Sequence, residues 1–389
     1  INIRVTFTAP ISRKQTIVGG FYYDTLADGS SLWKVRFAPS EVGTWTYNYT
    51  FTHTPTRSRA SGGGSFDVIS SLNRGFLRPN PLNPYRWEFA DGQPFVPIGT
   101  NDCISLNDLK MMDGGDRNGS FLGGLRTDEC FKTFSEAGFN MFRFSQANCG
   151  PNLANSQLDT FDKDVAMYFD WLMQQLRAYN FRIFYGFFGY LLPDNPTTPP
   201  TGEVLRFIDY SINRWGAYVD IWELQNERTA SDAWIRAVAQ HLRANDPYVH
   251  PITTSWQRPD IGEIEVNAPH WYAHENELQS DLVTANKADS WKQFGKPVIV
   301  GEQGNSGPQG EFSNWLPDSA LRMRIRCWTA FFEEISFLFW DTSWATNGHG
   351  GGAANIYLGP EERQYIQVLQ WFSNMVIRPD TKTSSVGVS

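Results

Sequence analysis

The stretch Val219-Asp-Ile-Trp-Glu-Leu-Gln-Asn-Glu227 decides how this 389-residue chain is read. It opens as a short apolar strand and ends on polar groups, among them Asn226 and Glu227. Seven further apolar segments share its texture: Phe95–Gly99, Asn140–Ser145, Phe181–Gly189, Val249–Trp256, Glu265–Tyr272, Pro297–Gly301 and Phe337–Asp341. Amphipathic stretches lie between most of them, as at Arg126–Ala137, Phe161–Tyr179, Ser231–Ala244 and Ala320–Glu334, and a last helix, Glu361–Val376, follows the eighth. Eight strand–helix units in about 280 residues predict an α/β fold, a (β/α)8 TIM barrel. Such a barrel gathers the C-terminal ends of its strands on one face, where active sites sit.

Upstream the texture is β only. Alternating runs at Ile3–Phe7, Thr16–Tyr23, Leu32–Phe37, Thr44–Phe51 and Ser65–Ile69 are separated by turn residues at 27–30, 39–43 and 61–64. Short strands at close spacing predict a small antiparallel β-sandwich. A Pro/Asn-rich connector, Arg78-Pro-Asn-Pro-Leu-Asn-Pro-Tyr85, follows. The expected organisation is a sandwich over 1–72, a connector and barrel-capping hairpin over 73–93, and the barrel over 94–389.

Composition narrows the function. The net charge is -8 and basic residues do not cluster, which argues against a nucleic-acid partner. No apolar run is long enough for a membrane span. Aromatic residues make up 15%, with 15 Trp. Part of that excess belongs to a core, and part suits a protein that stacks rings on sugars. None of the four cysteines sits in a CxxC pair, so no zinc site is expected.

The strand ends carry the chemistry. Strand two ends on Arg143, strand four on Asn226 and Glu227, strand six on His270-Trp271-Tyr272, strand seven on Glu302, and strand eight on Trp340-Asp341. Two Glu on strand ends three apart can converge across the barrel mouth. Paired carboxylates are the chemistry of glycoside hydrolysis: one gives a proton to the departing oxygen, the other attacks or stabilises the anomeric carbon. Arg143 is the available cation near Glu302 and Tyr272 an available donor. Asn226 can hydrogen-bond a sugar hydroxyl, and Trp340 can floor a subsite. Tyr190, Trp256, Trp271 and Trp344 are further exposed-ring candidates. Taken singly, each has an ordinary structural reading, whether an ion pair, a hydrogen-bonded His or a core ring. The joint pattern favours chemistry.

At these residues a resemblance appears. Residues 94–377 resemble a clan A glycoside hydrolase, closest in pattern to family 5, the cellulase and β-mannanase type. The matching pieces are Gly99-Thr-Asn101, Gly138-Phe-Asn-Met-Phe-Arg143, Trp222-Glu-Leu-Gln-Asn-Glu227, His270-Trp-Tyr272, Gly295-Lys-Pro-Val-Ile-Val-Gly-Glu302 and Trp340. The resemblance implies that Glu227 is the general acid/base and Glu302 the nucleophile, with Arg143, Asn226, His270, Tyr272 and Trp340 around them. It implies a retaining reaction, and carboxyl groups roughly 5–5.5 Å apart. Leu32-Trp-Lys-Val-Arg-Phe-Ala-Pro39 and Gly43-Thr-Trp-Thr-Tyr47 resemble a small β-sandwich of unknown function that precedes such barrels. The chain departs from the family at strand three, where Phe184-Tyr-Gly-Phe-Phe-Gly-Tyr190 lacks the usual His and offers Phe188 or Tyr190 for stacking instead.

The expected function is therefore a retaining glycoside hydrolase cleaving a β-linked poly- or oligosaccharide, without cofactor or metal. The alternatives are a transglycosylase using the same two Glu, and a non-catalytic glycan-binding protein. The expected partner is a carbohydrate substrate, with no nucleic acid and no membrane, and the expected location is secreted or periplasmic, a signal peptide not being something a chain that begins at Ile1 can show. Weaker signals are an acidic loop at 113–119 without EF-hand spacing, a Gly-rich loop at 345–352 without a P-loop Lys, and sequons at Asn48 and Asn118. Cys103 and Cys149 follow neighbouring strands, leaving a disulfide or two free thiols as the options.

Overall fold

A computed structural model describes residues 1–101, 127–146, 153–154, 158, 160–189, 199–255, 258–273, 281–305, 319–339 and 358–377. Its largest sheet is a closed parallel barrel. The strands are β10 (Gly99–Asn101), β11 (Met141–Ser145), β12 (Arg182–Gly186), β13 (Ile221–Glu223), β14 (Ile252–Thr254), β15 (Val266–Asn267) with β16 (His270–Ala273), β17 (Val298–Asn305) and β18 (Ile335–Phe339). β10 pairs with both β11 and β18, and β15 and β16 both pair with β17, so eight positions close the ring. β15 and β16 share one position interrupted at Ala268-Pro269, where proline has no N–H to give a ladder. The eight-stranded reading holds, with one shift at its start. The predicted first strand, Phe95–Gly99, is two things. β9 (Pro94–Phe95) pairs with β8 (Trp87–Phe89) outside the barrel, and the barrel strand begins only at Gly99. Pro97 lies between them and has no N–H to give a ladder, and the Asn140 side chain holds the gap by bonding Ile98 N and Val96 O, both at 2.9 Å.

Two apolar layers form. Met141, Phe184, Ile221, Val266, Ala268, Ile299 and Leu338 fill the barrel's interior end, sealed by Leu77, Trp87, Phe89 and Phe95. Those last residues come from the meander of β7 (Leu77–Pro79), β8 and β9. The outward residues pack against the surrounding helices. Tyr185 of β12 touches Phe144, Phe187, Trp215 and Trp222 edge-on or tilted. Much of the aromatic excess is thus core: Trp45, Trp215, Trp222 and Trp234 are among the largest fully buried side chains. The helices that start at Lys163, Gly202 and Asp232 are capped from side chains, as where Ser231 accepts from Trp234 N. No helix among the described residues is long and apolar enough to cross a membrane.

The N-terminal unit is antiparallel, as expected. A four-stranded sheet runs β2 (Gln15–Gly19), β1 (Asn2–Thr8), β5 (Gly43–His53), β6 (Ser58–Val68), beside a hairpin of β3 (Phe21–Thr25) and β4 (Ser31–Lys34). The segment after β4 closes the core: Phe37 stacks on Phe7 at 4.0 Å and packs against Trp45. Two expectations change. Thr16–Tyr23 is not one strand, since it divides at Gly20 between the two sheets. Ser61-Gly-Gly-Gly64 is not a turn. These residues lie inside β6, paired with 47–50, and the reversal falls at 54–57. The glycines are there for close approach: a Cβ on Gly62 would sit 2.7 Å from the Tyr49 ring, and one on Gly64 2.8 Å from Tyr47 Oη.

The hairpin docks on the barrel helices Lys163–Ala178 and Gly202–Trp215. Phe21 meets Tyr210 edge-on. Arg36 Nη1 donates to Asp170 Oδ1 at 2.5 Å and to the Arg214 carbonyl at 2.7 Å. Asp170 also accepts from Arg214 Nε and Nη2 and from Trp215 Nε1, and it is buried.

Candidate active site

The alternation of β11 turns Met141 into the interior with Arg143 two residues on, while Phe142 and Phe144 join the outer layer. Arg143 is 2% exposed at the mouth. On β13 the same parity sets Ile221 inside and Trp222 outside, so Glu223 faces Arg143. Beyond Glu223 the chain leaves the ladder: Asn226 N bonds the Phe188 carbonyl, and Glu227 takes a left-handed backbone with φ 49°. A non-glycine residue there is uncommon, and such conformations concentrate where structure around them over-determines the geometry.

Glu302 reaches the site through an irregularity. Ile299 faces the interior and Val300 the helices, so strict alternation would turn Gly301 inward and Glu302 outward. The register between β17 and β18 shifts between Val300 and Gln303, one extra residue on β17, and this bulge reverses the parity. Glu302 then pairs in register with His270. Gly301 permits the approach, since a Cβ there would lie 3.1 Å from His270 Nε2.

The polar groups form one connected set. Arg143 donates from Nε to Glu223 Oε2 at 3.0 Å and from Nη2 to Glu223 Oε1 at 2.8 Å. Its Nη1 donates to Glu302 Oε1 at 2.8 Å, and its Nη2 also to Asn226 Oδ1 at 2.7 Å. The Tyr272 hydroxyl donates to Glu302 Oε2. His270 Nδ1 lies 2.6 Å from Glu227 Oε1 and 3.5 Å from Glu302 Oε2. Burial alone would lower the pKa of Arg143, but the charges of Glu223 and then Glu302 raise it above its ordinary value. Asn226 Nδ2 is buried without a protein partner among the described residues.

Glu227 and Glu302 differ in surroundings. The Glu302 side chain is 6% exposed and receives donors on both oxygens, whereas that of Glu227 is 25% exposed. One donor atom each of Glu227, His270 and Glu302 lies within 4.8 Å of the others. Among the described residues this is the one His/Cys/Asp/Glu trio with a spacing suited to a cation. Arg143 and Tyr272 already occupy Glu302, which suits a carboxylate held by protein donors better than a metal ligand.

Six of the expected residues therefore come together: Arg143, Asn226, Glu227, His270, Tyr272 and Glu302. Trp271 does not join them. It is 6% exposed and faces the helices, against Trp291 and Phe337, because its neighbours His270 and Tyr272 take the inward positions. Phe188 is likewise core, stacked on Phe207 and meeting Trp234 edge-on, so it offers no sugar platform. Tyr190, Trp256, Trp340 and Trp344, the 113–119 and 345–352 loops, Cys103 and Cys149 lie outside the described residues. Glu223 was not among the expected site residues. Its signal was parity, two positions after the interior Ile221.

Residues 1–52 match a family described as a domain of unknown function (DUF5060). No curated protein matches the chain. In fold the chain is similar to a candidate glycoside hydrolase from Bacteroides vulgatus, with TM-score 0.69 and 18% identity, covering 96% of this chain and 74% of that one. A family 5 glycoside hydrolase from the same organism gives TM-score 0.50 and 14% identity, over 72% of this chain and 66% of that one. An exo-β-1,4-mannosidase from an Opitutaceae bacterium gives 0.54 and 15%, over 77% and 63%. At these identities the likeness is one of fold, and the first takes in sandwich and barrel together.

Proposed function

We propose that the protein is a retaining glycoside hydrolase that cleaves a β-linked poly- or oligosaccharide by double displacement. The observation that carries this reading is the approach of two carboxylates in unlike surroundings, Glu227 and Glu302, with an oxygen of each within 4.8 Å of the other at the mouth of a parallel barrel. An approach this close is compatible with a nucleophile on one carboxylate and an acid/base on the other.

In the first step a Glu302 oxygen bonds to the anomeric carbon as the glycosidic bond breaks, and the departing oxygen takes the proton of Glu227. In the second, water bonds to the anomeric carbon, Glu227 takes its proton, and the ester's electron pair returns to Glu302. Arg143 and Tyr272 orient the nucleophile, and His270 holds Glu227. Asn226 Nδ2, without a partner among the described residues, is available to a sugar hydroxyl. No step calls for a cofactor.

The test is a panel of β-glucans, mannans, xylans and galactans, with the anomer of the first-formed product read by NMR. Cleavage with retained configuration is expected, lost by about a thousandfold or more in Glu302→Gln. Glu227→Gln should keep most of its first-step rate only on aryl glycosides whose leaving group needs no proton, and should then be slow in the second step, where its base is missing. Products longer than the starting sugar would identify a transglycosylase. Inverted product, or undiminished cleavage by Glu302→Gln, would overturn the reading.

A further inference from the structure

The geometry points to Glu223 as a positioning residue that sets how much of the Arg143 charge bears on Glu302, and so sets the relative rates of the two displacement steps. This rests on the retaining reading above.

Glu223 is fully buried and binds Arg143 with both oxygens. The fold makes room for that carboxylate: Gly186 ends the adjacent strand β12, and a Cβ there would lie 2.8 Å from Glu223 Oε2 and 2.6 Å from Ser145 Cβ. One guanidinium thus serves two carboxylates. It gives Nε and Nη2 to Glu223 and Nη1 to Glu302. Among the described residues, the charged or titratable groups facing Glu302 are Arg143, Tyr272, His270 and, within 4.8 Å, Glu227.

The charges differ between the two steps. When Glu302 attacks, its carboxylate becomes a neutral ester and gives up its attraction to Arg143. With Glu223 in place that attraction is shared, so less is lost, and the Arg143–Glu223 pair left behind is neutral. Without Glu223, attack would forfeit an undivided ion pair and leave a buried cation without a counter-charge, which is costly. In the second step the sense reverses. Glu302 leaves as a carboxylate, and an unshared Arg143 would favour its departure. Removing the Glu223 charge should therefore slow the first step and spare the second, whereas loss of a merely structural contact would not separate them.

The experiment uses the full chain and aryl 2-deoxy-2-fluoro glycosides of cellobiose and mannobiose, which trap the glycosyl-enzyme. Formation and decay of the adduct are followed by intact-mass spectrometry. In Glu223→Gln, with circular dichroism matching the wild type, formation is expected to fall about tenfold or more, with decay unchanged or faster. Glu223→Asp keeps the charge with a shorter reach and should show the same asymmetry, reduced. Equal slowing of both steps, or no slowing of formation, would overturn the role of Glu223 while the wild-type adduct left the hydrolase reading intact. Failure of both variants to fold would make Glu223 a structural residue and overturn it as well. A wild type that cleaves no glycan and forms no adduct would overturn both.

Discussion

Glu302 is the residue at which a functional and a structural reading make opposite predictions. A strand-end Glu bound to a buried Arg is ordinarily a structural ion pair, and removing one partner of such a pair costs about 3–5 kcal/mol. Here Arg143 has a second carboxylate, Glu223, and Glu302 also faces Glu227. Glu302→Gln removes a buried charge and leaves the Arg143–Glu223 pair whole. It is expected to melt at or above the wild type, by roughly 1–3 °C, while losing turnover. Differential scanning calorimetry decides it, and a drop of several degrees would make Glu302 a structural partner. The same residue marks the limit of what the sequence shows. Glu302 as a residue type at a strand end was readable, but its inward direction depends on a bulge, for which Gly301 is the only local sign. Trp271 was readable from simple alternation and was nevertheless placed with His270 and Tyr272, because a motif names consecutive residues while a strand points them to opposite faces.

At the scale of elements, the barrel strands were legible because each is an apolar run buried on both faces, and their order follows from the strand–helix alternation. What was not legible is where pairing takes precedence over composition. Ser61-Gly-Gly-Gly64 has turn chemistry but sits in β6, because the β5 tyrosines lie across it. This makes the glycines testable one at a time. A Cβ on Gly63 would meet the Tyr47 carbonyl oxygen at 2.6 Å, which is backbone and cannot step aside. Gly63→Ala should therefore destabilise the sandwich by about 1–3 kcal/mol. Gly62→Ala meets only the half-exposed Tyr49 ring, which can swing away, and should cost less. Urea unfolding of both variants followed by circular dichroism would rank the two, and equal stability for both variants would refute the close-approach account.

For the molecule as a whole, the question is what makes a sandwich and a barrel one body, and the contacts converge on Asp170. This barrel-helix carboxylate binds Arg36 from the N-terminal unit together with Arg214 and Trp215 from the neighbouring helix. Burial alone would raise its pKa above the ordinary 3.8, but the hydrogen bonds from Arg36 and Arg214 more than reverse this, so the folded chain holds it below that value. A depressed carboxyl contributes stability that is fully present above its unfolded pKa and is lost as the pH falls through its folded one. Asp170→Asn removes that contribution and leaves Arg36 and Arg214 without their shared counter-charge, at a cost of about 3–5 kcal/mol at pH 7. Because Arg36 belongs to one unit and Arg214 to the other, the variant should also loosen their cooperation, separating one melting transition into two. As the pH falls below the ordinary 3.8 and through the depressed folded value, the wild type loses the same charge by protonation, so the gap between wild type and variant should narrow. Calorimetry of both proteins at pH 7 and at a descending series of pH values below 3.8 tests this. A gap that stayed constant with pH would mean that Asp170 couples the two units through packing and not through its charge.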